Sequence, residues 1–202
     1  MIALEQYNKI RNNYCLAYFG GSNEYLVQLR LLRPIFEQYF KGLNIYYCCS
    51  DDKIKYLRGT DRVLTLSELR ERKSEFAHVK EMTYNGQSHP VLDLLEQSGI
   101  NRFSIPTHTT DHTNICSIVT KGSYPTINLL QTQIRAIQKM SIHNGYEIQI
   151  NGNWEEAGLV IGVESVDLFE AAARGIKTYL IPSGNGEQLY KKMFPNGNIL
   201  HI

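Results

Sequence analysis

Leu159 to Pro182 reads LVIGVESVDLFEAAARGIKTYLIP. Leu159 to Val163 is an unbroken apolar run, apolar residues then recur at helical spacing ahead of Gly175, and a second apolar run ends at Pro182. The stretch reads as a buried strand, a tight polar turn, a short amphipathic helix and a second buried strand. Strands that are apolar throughout, rather than at alternate positions, belong to parallel sheets covered on both faces. In open sheets of that kind ligands bind outside the carboxyl ends of the strands, and Glu164, Ser165 and Asp167 crowd the turn at such an end. The same residues also suit the helix itself, with Ser165 as its N-cap, Asp167 in its first turn and Gly175 as its stop. The turn thus has two readings, a ligand contact and plain capping.

Outward from this unit the pattern repeats. Downstream, NILHI is one more strand candidate; upstream lie the strands ICSIVT and YEIQI, and between them TINLLQTQIRAIQKM, a helix with Ile127, Leu130, Ile134 and Ile137 on one face. The first half opens on YCLAYF (Tyr14 to Phe19), then Gly20 and Gly21, then a helical stretch from Asn23 that Pro34 should interrupt. NIYYCC, RVLTL and AHVKEMTY follow as strands, SELRERKSEF as a surface helix capped by Ser67, and HPVLDLLEQSGI as a helix stopped by Gly99. Between the halves, NRFSIPTHTTDHTN loses periodicity and collects Pro, Thr and His, the marks of a linker. The expected fold is α/β, with two small Rossmann-like lobes built on parallel sheets, residues 1–106 and 107–202.

Composition narrows the function. The chain has 202 residues, 43% hydrophobic and 20% charged, enough to bury a proper core. Its 21 basic and 20 acidic residues leave a formal charge of +1, no electrostatic footprint for nucleic acid or an anionic membrane surface. An anionic ligand must be captured locally. Cys15, Cys48, Cys49 and Cys116 lie in apolar strand segments at spacings that fit neither a redox pair nor zinc, and read as buried free thiols. No run of about 18 apolar residues exists, and MIALEQYNKIRNNY is too polar for a signal peptide, so a cytoplasmic protein without a membrane span is expected. His108, Asp111 and His112 have a ligand-like spacing but sit in the linker, so no metal is expected; Trp154 is expected in the core.

The common dinucleotide, NTPase and hydrolase fingerprints are absent. What remains is a polar turn after each of four strands: GGSNE (Gly20, Gly21, Ser22, Asn23, Glu24), KGSYPT (with Lys121, Gly122 and Ser123), GVESVD and PSGNGEQ, which ends on Gln188. Glycines ahead of a helix let backbone approach a ligand, and helix N-termini attract phosphate. Lys121 adds the charge a diphosphate needs. Glu164 and Asp167 make poor phosphate neighbours and better partners for sugar or ribose hydroxyls, with Ser165 or backbone N–H turned to the phosphate. Each turn also reads as an ordinary strand-to-helix connection.

The order of these features resembles the GT-B glycosyltransferases, particularly the heptosyltransferase-like and undecaprenyl-linked GlcNAc transferase-like families. GVESVDLFEAAARGIKTYLIPSGNGEQL follows their donor-domain order of polar turn, small-residue helix end, strand ending in Pro and loop containing Gln. HPVLDLLEQSGI looks like the helix closing their N-terminal domain, and GGSNEYL sits where they carry a glycine-rich turn beside the acceptor. Val166 stands where the family turn has glycine, and both halves are short. The resemblance implies a reduced GT-B-like protein that binds a nucleotide-diphosphate sugar between its lobes and transfers the sugar to a hydroxyl acceptor without cofactor or metal. In it Glu24 is the base, Lys121 and Ser123 hold the diphosphate, and Glu164 and Gln188 hold hydroxyls. A non-catalytic nucleotide- or sugar-binding module on the same fold is the alternative. Oligomeric state is left open.

Overall fold

The computed structural model describes residues 11–57, 59, 62–83, 89–105, 107, 113–122, 128–182 and 186–202. It divides into two compact units, one running to Ile100 and the other from Asn101 to Ile202, the latter also taking in Ser22–Glu24. Each unit holds one parallel sheet flanked by helices, the α/β arrangement that unbroken apolar strands require.

In the first unit the strands are β1 (Asn13–Tyr18), β2 (Asn44–Cys49), β3 (Val63–Thr65) and β4 (His78–Met82), in the order β3-β2-β1-β4. Cys15 lies opposite Tyr46 on one side and Val79 on the other. Its helices are α1 (Asn23–Leu31), α2 (Arg33–Tyr39), α3 (Leu66–Glu71) and α4 (Pro90–Gln97). The break at Leu32 falls two residues before Pro34, whose ring suits the first turn of a new helix and not the interior of an old one. Helix α4 ends before Gly99, which takes φ +70, the left-handed conformation of a helix stop. One face of the sheet packs Cys15, Ala17, Cys48 and Leu64 against Leu69 of α3 and Phe76.

In the second unit β5 (Ile115–Val119), β6 (Glu147–Ile150), β7 (Leu159–Gly162), β8 (Lys177–Leu180) and β9 (Asn198–Ile199) run in the order β6-β5-β7-β8-β9. Helix α5 (Gln131–His143) covers one face, where Ile134 and Ile137 meet Cys116, Ile118, Leu159 and Ile161. Helices α6 (Val166–Ala173) and α7 (Gly186–Met193) carry Phe169 and Tyr190, whose rings meet edge to face at 5.8 Å. Each fully buried Ile or Phe contributes about 1.5–3 kcal/mol, so the all-buried run of β7 is worth more than its four residues of ladder bonding.

Several local expectations need correction. Thr65, not Ser67, caps α3: its hydroxyl accepts from Glu68 N at 3.0 Å while the Glu68 carboxylate accepts from Thr65 N at 2.7 Å. Helix α5 starts only at Gln131, because an antiparallel bridge between Lys121 and Asn128 and the Leu129 N–Thr120 O bond hold the chain beside the end of β5. Leu130 is therefore 66% exposed, and Ile127 lies outside the described residues. Trp154 is half-buried rather than core, 4.8 Å beneath the Arg174 guanidinium. Only two residues of NILHI pair as a strand. His108, Asp111, His112 and the first ten residues lie outside the described residues. All four cysteines are free and buried. Burial pushes the Cys49 thiol up to about 12, and a hydrogen bond with Cys15, then burial, raises Cys48, so neither offers a thiolate.

Candidate functional site

Both sheets have a point where strand order reverses. The chain builds β1, β2 and β3 outward and then places β4 on the far side of β1; likewise it builds β5 and β6 and then places β7 on the far side of β5. The crevices outside the carboxyl ends at these reversals are where open α/β sheets bind ligands. GGSNE follows β1 at the first reversal; Lys121 and Glu164 follow β5 and β7 at the second, and Gln188 follows neighbouring β8. Three of the four turns therefore share one edge, and GGSNE occupies the corresponding edge of the other sheet.

At the first edge, Gly20 is required by its neighbour: a Cβ there would run into the ring and hydroxyl of Tyr18, which is 1% exposed. Gly21 has open space where a Cβ would go. Ser22 Oγ donates to Glu24 Oε2 at 2.5 Å, and both residues are 2% exposed. Asn23 opens α1, which puts the Glu24 carboxylate in the first turn, where the helix dipole favours it. Lys53 Nζ donates to Gly20 O at 2.7 Å, bringing a cation to this edge. His89 caps α4, accepting from Leu92 N through Nδ1 at 3.4 Å, and its ring lies 4.6 Å from that of Tyr25. Sequence reasoning missed Lys53 and His89. SDDK follows the strand NIYYCC as the other polar turns follow theirs, and a polar residue before Pro at a helix start is an N-cap signature.

At the second edge the acids have partners within the protein. The Glu164 carboxylate, 5% exposed, lies directly on Gly186, the first residue of α7, where any Cβ would collide with it. It thereby meets the positive end of α7, where free backbone N–H groups attract an anion. Ser165 Oγ accepts from Leu168 N at 3.2 Å and caps α6, as the capping reading expects. Burial first, and the charge of Glu170 second, raise the Asp167 carboxyl, while a hydrogen bond with Trp154 works the other way. Arg174 lies over Trp154 and reaches Glu155 at 3.0 Å, closing the arrangement around α6. Gly162 lets the strands approach: a Cβ there would stand 2.5 Å from Val119 O. Thr120 donates through N and Oγ1 to Asn151 Oδ1, both at 3.0 Å. Lys121 and Gln188 are exposed, Gly122 is half-buried, and Ser123 lies outside the described residues, as do residues 183–185 of PSGNGEQ. Helix α5 begins at Gln131, so Lys121 and Gly122 are not at its N-terminus.

No protein-family model and no curated protein sequence matches the chain. Among solved structures the chain is similar to the bacterial iron-containing dodecameric glycosyltransferase TibC from enterotoxigenic E. coli, with a TM-score of 0.59 at 12% identity. The likeness covers 85% of this chain and 58% of that one. The fold is thus that of a GT-B-like glycosyltransferase, two parallel sheets with interspersed helices. Among the described residues no group of three or more His, Cys, Asp or Glu stands together to hold a metal; the four cysteines are divided among β1, β2 and β5. Among the described residues no helix is long and apolar enough to cross a membrane.

Proposed function

We propose that the protein binds a nucleotide-diphosphate sugar and transfers the sugar to a hydroxyl acceptor. The observation that carries this reading is the placement of polar turns at the strand-order reversals of a glycosyltransferase-like fold. The second unit is the donor side. Lys121 and the backbone of Gly122, with Ser123, hold the diphosphate; Glu164, Ser165, Asp167 and Gln188 frame the ribose or sugar. The acceptor side is the turn after β1, where Gly20, Gly21, Ser22 and Asn23 shape the turn and Glu24 takes the proton of the acceptor hydroxyl. The acceptor oxygen bonds to the anomeric carbon as the bond to the nucleoside diphosphate breaks. Free thiols fit a reducing, cytoplasmic setting.

A second reading, binding without transfer, is favoured by the internal partners of Glu164 and Asp167 and by Val166 in place of the family's glycine. Thermal shift against a panel of nucleotide diphosphates, then assay of nucleoside diphosphate release from any sugar nucleotide that binds, separates the two: turnover supports the transferase, and binding alone supports the module. Lys121→Ala should weaken nucleotide-diphosphate binding by roughly 1.5–3 kcal/mol, the range of a charge-assisted hydrogen bond. Calorimetry showing parental affinity in this variant would remove the donor site as drawn.

A further inference from the structure

The first sheet has an opening apart from its polar turn. Helix α3, at six residues, spans only ~9 Å, and Leu69 from it and Phe76 beyond it bury Cys15 and Ala17 on this face of the sheet. Beside this packing lies a pocket of about 220 Å³ lined by Leu66, Leu69 and Val79, with Phe19, just past the end of β1, also in its lining. Phe19 is 44% exposed, so part of its ring is open to a ligand. Arg70 and Lys73 stand at the same opening with Glu81 as its one acid. Neither cation has an ion pair or side-chain hydrogen bond among the described residues, although Arg72 between them pairs with Glu75 at 2.8 Å. Two uncommitted cations beside an apolar floor complement a ligand with an apolar body and a dianionic head.

We propose that this pocket binds a phosphate monoester of an apolar alcohol, the alkyl or aryl body against Phe19, Leu66 and Val79 and the phosphate between Arg70 and Lys73. Phosphate suits the site better than carboxylate because its several acceptor oxygens can bond Arg70 and Lys73 at once. At this volume the pocket encloses only part of a larger molecule, leaving the rest free to carry a hydroxyl. That such a molecule is the sugar acceptor rests on the transferase reading; that it binds does not.

Octyl phosphate, titrated into the full chain by calorimetry, tests this. Saturable binding is expected, weakened about 10-fold or more in an Arg70→Gln, Lys73→Gln double variant, the scale of one charge-assisted hydrogen bond. Phe19→Ser should weaken it as well, and octyl glucoside and octanoate should bind more weakly than octyl phosphate. Arg70 and Lys73 are exposed, so circular dichroism should report an unchanged fold. Equal affinity for octyl phosphate and octyl glucoside, or parental affinity in the double variant, would overturn the proposal. So would a dimer, seen by sedimentation, that Phe19→Ser dissociates and that octyl phosphate cannot compete with. Uridine diphosphate titrated into the same samples tests the donor reading separately: octyl phosphate binding without nucleotide binding keeps the pocket and loses the transferase, and the converse loses only the pocket.

Discussion

The two strand-order reversals end in turns of similar composition that use their acids in opposite ways. After β1, Glu24 accepts from a serine hydroxyl two residues before it, a contact within its own turn. After β7, Glu164 rests on the first residue of α7 and Asp167 on the Trp154 indole, so each also has a contact that joins it to the surrounding helices. Topological position selects where a ligand can bind, but the partner of each side chain decides whether it is available to one. Lys121, after β5, is exposed.

The largest effect expected from this contrast is on turnover. Glu24→Gln keeps the shape and removes the base, so transfer should fall by about 10²- to 10⁴-fold while donor affinity stays parental. Rates of nucleoside diphosphate release, read beside calorimetry of the donor, check it. If the variant transfers at the parental rate and instead loses as much stability as Glu164→Gln does, Glu24 is frame too and the contrast between the edges disappears.

Next in size is Gly186→Ala, which forces a Cβ against the Glu164 carboxylate and should cost about 1–3 kcal/mol, the usual penalty for overpacking. Urea denaturation measures it. The same substitution in a Glu164→Ala background should cost much less, because the colliding group is gone; equal costs in both backgrounds would mean that the carboxylate does not hold α7. Ser165→Ala should then cost about 1 kcal/mol through the lost cap of α6. A Ser165→Ala protein as stable as its parent, but weaker for nucleotide, would return this hydroxyl to the ligand.

The sequence made the architecture legible because its signal is periodic. Unbroken apolar runs such as LVIG, alternating with helical stretches, point to a parallel sheet covered on both faces, and β7 is buried at every position. Capping chemistry was legible where one residue carried it, as with Ser165, and misplaced where a reciprocal pair did: Thr65 and Glu68 make the box around a Ser67 that merely sits inside it. The delayed start of α5 was illegible, since it depends on Thr120 and Lys121 bonding to residues seven or more positions onward. So was the Glu164–Gly186 contact, which joins turns after different strands, and the pairing of Asp167 with Trp154. Residue type marks a candidate; only the fold reveals which neighbour already holds it.

The smallest effect concerns Asp167, and its sign carries the information. Burial, then the Glu170 charge, hold this carboxyl above its ordinary value of 3.8, so the folded protein binds the proton more tightly than the unfolded chain. The sign follows: the contribution to stability is fully present below the ordinary value and is lost as pH rises through the raised folded one, leaving a desolvated charge as a cost at neutral pH. Asp167→Asn removes that charge and keeps an oxygen to accept from the Trp154 indole, so the variant should be more stable than its parent at pH 7 by no more than roughly 0.5 kcal/mol. The gain should vanish in melts below about pH 4, where the parental carboxyl is itself protonated. The dipole of α6 pulls the other way, favouring a charge in the first turn. A variant less stable at pH 7 would show that the dipole outweighs burial at this site. A variant of unchanged stability that has lost nucleotide affinity would move Asp167 from the frame into the binding site, and with it half of the contrast between the two edges.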